Sequence, residues 1–127
     1  MNEYDKKAMD FAAKTGTKLT ILGMEYKPMW GEKQPRCVFK CRLTRNRRSY
    51  TFEFGQSLYN GSKPPRMYDV LSCMEKYDHG SFEDFCADYG FDPDSRRAER
   101  TYKACCKEYE AVERLFGDVM DDLREIN

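Results

Sequence analysis

Six cysteines, one histidine and a dense set of carboxylates are the groups of this 127-residue chain that could do chemistry. Zinc sites need ligands in paired knuckles, and a nucleophile needs a base beside it. Neither arrangement is present. Cys37 and Cys41 lie four apart, Cys105 and Cys106 are adjacent, Cys73 and Cys86 stand alone, and His79 is the sole histidine. With no CxxC pair, these read as reduced thiols, most of them buried as small hydrophobes. The sequence contains no GxSxG, GxxxxGK[ST] or HExxH motif. Asp92 and Asp94 begin like a calcium loop, but Arg96 stands where the third oxygen ligand belongs. His79, between Asp78 and Gly80, suits a helix end, where a cation complements the dipole. The expectation is a non-enzymatic chain with no catalytic residues, no metal and no cofactor.

Charge carries more information. The 22 Lys and Arg balance 22 Asp and Glu, but the balance is uneven along the chain. Up to Arg66 there are 14 basic and 6 acidic residues, and from Met67 onward 8 basic and 16 acidic, so the halves carry +8 and −8. Such asymmetry points to interaction surfaces rather than to a reaction. In the first half, Lys40, Arg42, Arg45, Arg47 and Arg48 form a candidate nucleic-acid-binding cluster, since Lys and Arg neutralise phosphates. In the second half, Glu75, Asp78, Glu83, Asp84, Asp88, Asp92 and Asp94 form a candidate acidic face for a basic partner. For both groups ordinary capping and solvation is the simpler reading.

The elements that position these residues follow from periodicity. Glu3 to Lys14 reads as a short amphipathic helix with Ala8, Phe11 and Ala12 on one stripe and Gly16 at its stop. Lys18 to Lys27 reads as a strand, with Leu19 and Ile21 on one face and Leu22, Met24 and Tyr26 nearer the other. Pro28 to Pro35, with Trp30 and Gly31, is a loop. A hairpin turning at Asn46-Arg47 pairs Leu43 with Tyr50, Cys41 with Phe52 and Phe39 with Phe54 on one face. It sets Arg42 beside Thr51, and Lys40 beside Glu53, on the other. Because one register satisfies both the apolar pattern and the charges, that register is expected. Tyr50, Phe52 and Phe54 then face the core and are not available to stack on bases.

After a loop from Gly55 to Pro65, the chain turns helical. Met67 to Tyr77 carries Val70, Leu71 and Met74 and ends at Gly80. Ser81 and Asp84 form a capping pattern for a helix closed by Gly90, and Asp92 to Ser95 caps a last, long helix. There Ala98, Tyr102, Cys105, Tyr109, Val112, Phe116, Val119, Leu123 and Ile126 recur in steps of four and three, a heptad seam. A straight helix of that length runs about 45 Å, longer than the roughly 36 Å diameter of a compact domain this size. It therefore bends at Gly117 or projects. The seam either packs on the chain's own helices or joins a homodimer. The fold expected is α+β within one domain over 1–127. An N-terminal helix and a small antiparallel sheet of about three strands form the basic half, 1–66. An acidic helical half, 67–127, follows. The polar start MNEYDKK and the lack of an apolar run of about 18 residues suggest a cytoplasmic protein without membrane contact.

The stretches Tyr50 to Ser57 (YTFEFGQS), Tyr68 to Glu99 and Arg114 to Val119 (RLFGDV) carry a resemblance covering roughly Lys18 to the C-terminus. They resemble small proteins of phages and prophages of gut Firmicutes. That family has no catalytic motif to transfer. What the resemblance implies is context: such accessory proteins often inhibit host defence, among them anti-CRISPR proteins that block an effector nuclease by binding it. The expectation is a phage-type inhibitor acting on a host or phage protein in the host cell cytoplasm. The alternatives are a nucleic-acid-binding accessory protein using the basic hairpin, and a scaffolding protein associating through the helix seam.

Overall fold

The computed structural model describes residues 2–29, 32–74 and 80–126. In chain order it holds α1 (Glu3–Thr15), β1 (Lys18–Lys27), β2 (Arg36–Arg45), β3 (Arg48–Gly55), α2 (Met67–Met74), α3 (Phe82–Tyr89), α4 (Arg96–Phe116), a 3-10 turn (Gly117–Val119) and α5 (Met120–Arg124). This is the α+β architecture the sequence predicts. Trp30 and Gly31 of the first loop, Glu75 to Tyr77 at the expected end of α2, Asp78 and His79 lie outside the described residues.

The three strands form one antiparallel sheet in the order β1-β2-β3. The hairpin register is the one derived from the sequence, with Leu43 opposite Tyr50, Cys41 opposite Phe52 and Phe39 opposite Phe54. Asn46 (φ 51°) and Arg47 (φ 66°) both take positive φ, the two-residue turn whose twist matches its strands. On the outer face the expected Lys40–Glu53 neighbours are in register, but the Glu53 carboxylate accepts from Lys27 Nζ at 3.0 Å.

β1 departs from simple alternation. The register shifts between Ile21 and Gly23, leaving Leu22 as the extra residue of a bulge. Beyond it Met24 lies opposite Phe39 and Tyr26 opposite Cys37, so both share the core-side face with Leu19 and Ile21 instead of taking the other one. A bulge inserts one residue and reverses the parity of everything after it. Among the described residues no helix packs substantially on β1, and Met24 and Tyr26 stay 49% and 68% exposed.

Ala8 and Phe11 of α1, the inward residues of β2 and β3, Val70, Leu71 and Met74 of α2, and Val112, Leu115, Phe116, Met120, Leu123 and Ile126 bury one main core. A separate cluster joins α3 to the first half of α4, with Phe85, Cys86 and Ala98 buried among Phe82, Phe91, Tyr102 and Cys105. The heptad seam therefore packs within the chain. Its first residues meet α3, and Val112, Phe116, Val119 and Leu123 meet the main core, with Tyr109 half-buried between. α4 ends at Phe116, and the chain passes through residues 117–119 before α5, so of the two alternatives the helix is interrupted rather than projecting. The interruption lies at Phe116 (φ −122°) and Val119 (φ −126°), with Gly117 itself helical.

Candidate functional site: charged faces

Arg45 shares the inward parity of Cys41 and Leu43, and its side chain is only 7% exposed. It donates from Nε to the Thr15 carbonyl (3.2 Å), from Nη1 to the Leu115 carbonyl (2.9 Å), and to both carboxylate oxygens of Asp118 (2.6 and 2.8 Å). Arg48 Nη1 donates to the Arg114 carbonyl at 2.7 Å. These two guanidiniums satisfy carbonyls that the end of α4 leaves without intrahelical partners. They bind the hairpin, the end of α1 and the α4 terminus together. The Arg45 guanidinium holds the Asp118 carboxyl down at about 2, from 3.8.

The five hairpin cations thus divide. Arg45 is buried as a clamp and Arg48 is exposed but tied to α4. Lys40 and Arg42 lie on the outer sheet face, where Arg42 Nε reaches Thr51 Oγ1 at 3.5 Å, and Arg47 sits exposed at the turn. The outer face is of mixed sign, because Lys27 lies between Glu25 (3.2 Å) and Glu53 (3.0 Å). Hydrogen bonds donated to those two carboxylates, Glu53 first, raise the Lys27 pKa.

The acidic set is more coherent. Ser81 caps α3 by accepting from the Asp84 N–H, and Gly90 closes it in the left-handed conformation. Glu83 and Asp84 occupy the first turn, where the helix dipole favours anions. Asp84 and Asp88 are a like-charged i, i+4 pair, which by itself disfavours the helix. Asp92 and Asp94 extend the set into the next loop, where Asp92 Oδ1 accepts from the Asp94 N–H at 3.0 Å. All five are exposed, and among the described residues none is in an ion pair. Glu75 and Asp78, the remaining two acids of the expected face, lie outside the described residues. Behind this face stands an aromatic base. Phe85 packs on Tyr89, Phe91 and Tyr102 with ring centroids 5.2–5.5 Å apart, and Tyr102 donates to the Gly80 carbonyl at 2.7 Å.

All six cysteines are free thiols. Burial raises the Cys41 thiol to about 11, and burial, followed by the charges of Glu83 and Asp92, raises Cys86. Cys105 is raised by its own burial and then by Cys106. Thiols held protonated in this way are poor nucleophiles and poor metal ligands. Among the described residues no three His, Cys, Asp or Glu side chains converge as a metal site, and no helix is long and apolar enough to cross a membrane.

Two features were missed in the sequence. Tyr50 donates its hydroxyl to Glu108, tying β3 to α4, and burial raises the Glu108 carboxyl above its usual range. The first turns of α4 are also strongly basic: Arg96, Arg97, Arg100, Lys103 and Lys107 stand against Glu99 alone between residues 96 and 107. Their i, i+4, i+7, i+11 spacing was the available signal, hidden by the net acidity of the whole half. No family model, no curated protein and no solved structure matches the chain.

Proposed function

We propose that this chain is a non-enzymatic binding protein that inhibits a nucleic-acid-handling defence protein, such as a CRISPR effector nuclease, by presenting α3 to its basic groove. The observation that carries this reading is the acidic face of Glu83, Asp84, Asp88, Asp92 and Asp94, which has no ion pair among the described residues and stands on an aromatic base. A like-charged pair on a packed helix works against folding, and a basic partner relieves it. Carboxylates at fixed spacing occupy such a groove as phosphates do, without being a substrate. The resemblance to phage and prophage proteins supplies the biological setting of the proposal.

The test is inhibition of target cleavage by a purified effector nuclease recovered with the tagged chain from host extract. The triple variant Glu83→Gln, Asp84→Asn, Asp88→Asn should lose inhibition while keeping its helical circular dichroism. Inhibition by the parent should weaken as salt rises. If no nuclease or other defence protein is recovered, or if the folded triple variant inhibits as well as the parent, the reading is wrong.

A further inference from the structure

The cations of α4 form a surface that none of the preceding roles uses. At 3.6 residues per turn, Arg96, Arg100, Lys103, Lys107 and Arg114 fall within about 60° of one another around the helix. The seam residues Ala98, Tyr102, Cys105, Val112 and Phe116 occupy the opposite side, and all five cations are exposed. The Arg48 hydrogen bond to the Arg114 carbonyl (2.7 Å) brings a hairpin guanidinium to the far end of this row. Two basic groups distant in sequence are thereby joined into one ridge. From Arg96 to Arg114 the axial rise is about 27 Å, the length of about eight phosphates along one duplex strand.

This arrangement runs against helix physics. Arg96 and Arg100 sit near the positive end of the α4 dipole, and Arg96/Arg100 and Lys103/Lys107 are like-charged i, i+4 pairs. Glu99 and Glu113 keep to one edge of the ridge, Glu110 enters it between Lys107 and Arg114, and among the described residues only Lys103 is ion-paired within it, to exposed Glu99 at 2.9 Å. A solvated helix face mixes its signs; from Arg96 to Lys107 this one segregates them.

We infer that this ridge of α4 lies along the phosphate backbone of a nucleic-acid duplex, independently of base sequence. The residues standing between the cations decide the ligand class. Ala104, Ala111 and Glu110 are there, and no aromatic or large aliphatic side chain is, so the ridge lacks the apolar anchors of a protein interface. It also lacks rings on which unpaired bases would stack, which leaves backbone charge as the recognised feature. α3 packs on the opposite side of α4, so the acidic face and the ridge can be occupied together.

The experiment is fluorescence anisotropy of the full chain with a labelled duplex of arbitrary sequence, titrated at several salt concentrations. Binding should give a slope of log K against log salt between about −3 and −5, unchanged when the duplex sequence is scrambled. The variant Arg100→Gln, Lys103→Gln, Lys107→Gln should flatten that slope by about 2 to 3. The charge-preserving Lys103→Arg, Lys107→Arg variant should retain it, which separates charge from folding. Glu83→Gln, Asp84→Asn, Asp88→Asn should not weaken duplex binding, so failure here is distinct from failure of the inhibitor reading. The inference is overturned by no duplex binding at low salt, by an unchanged slope in the triple Gln variant, by tighter binding to the single strand, or by binding to an acidic protein alone.

Discussion

Arg45→Ala tests the clamp that joins sheet to helices. The side chain is 7% exposed, and it makes two bonds to main-chain carbonyls and a two-pronged bond to Asp118. Hydrogen bonds from a charged donor contribute about 1.5–3 kcal/mol each, and a carbonyl left without a partner adds its own desolvation penalty. Asp118 is 66% exposed, so its orphaned carboxylate is rehydrated and adds little. The total loss should be about 3 kcal/mol. With a urea slope of about 2 kcal/mol/M, the unfolding midpoint should fall by about 1.5 M at constant slope.

Arg42→Ala on the exposed outer face is the control and should stay within about 0.5 kcal/mol of the parent. Asp118→Asn should have a smaller effect than Arg45→Ala and add almost nothing on top of it. The pair also sets an acid dependence. Because the folded Asp118 carboxyl titrates at about 2 against 3.8, its contribution is complete above about pH 4 and is lost as the pH falls through about 2. That acid-sensitive component should be absent in Arg45→Ala. A midpoint shift equivalent to less than about 1 kcal/mol for Arg45→Ala would refute the clamp.

Three further outcomes follow from local geometry. Arg47 holds φ at 66°, so Arg47→Gly should raise stability by up to about 1 kcal/mol, read as a higher melting temperature. Gly117 sits at φ −51° with nothing within 4 Å of an added Cβ, so Gly117→Ala should gain about 0.5–1 kcal/mol by restricting the unfolded chain; a loss would mean that the interruption between α4 and α5 needs glycine. Phe85→Ala removes the centre of the α3 cluster, at a cost of about 3–4 kcal/mol. Hydrogen exchange should then speed up across α3 while β2 and β3 keep their protection, because the main core lies apart from Phe85.

The hairpin was readable because two independent patterns, alternating apolar residues and opposed charges, agree on one register. The caps at Gly16, Ser81, Gly90 and Ser95 were readable for the same reason: each satisfies a helix end with local chemistry. Arg45 was placed with the tip cations although its parity matches Cys41 and Leu43. Charge type outweighed position, and the long side chain reaches carbonyls 30 and 70 residues away. The β1 bulge left no comparable mark, since one extra residue reverses a face without altering composition. The ridge on α4 was hidden by arithmetic, because a sum of −8 over 61 residues conceals twelve that carry +4.

The same helix explains why the seam offers little to a second copy. A heptad repeat normally signals a partner helix, but here its two ends enter different cores, one against α3 and one against the sheet and α5. Opening either end to a second chain would expose Phe85 and Tyr102, or Val112 and Phe116, before any new contact formed. Continuity of α4 from Arg96 to Phe116 makes it a strut between the two clusters. The strut fixes the acidic face of α3 on one side and the cationic ridge on the other. This separation keeps the α3 carboxylates and the α4 cations from pairing with each other. The proposed inhibitor face and the inferred duplex-binding ridge thus lie on opposite sides of α4, an arrangement that a whole-chain charge of zero conceals.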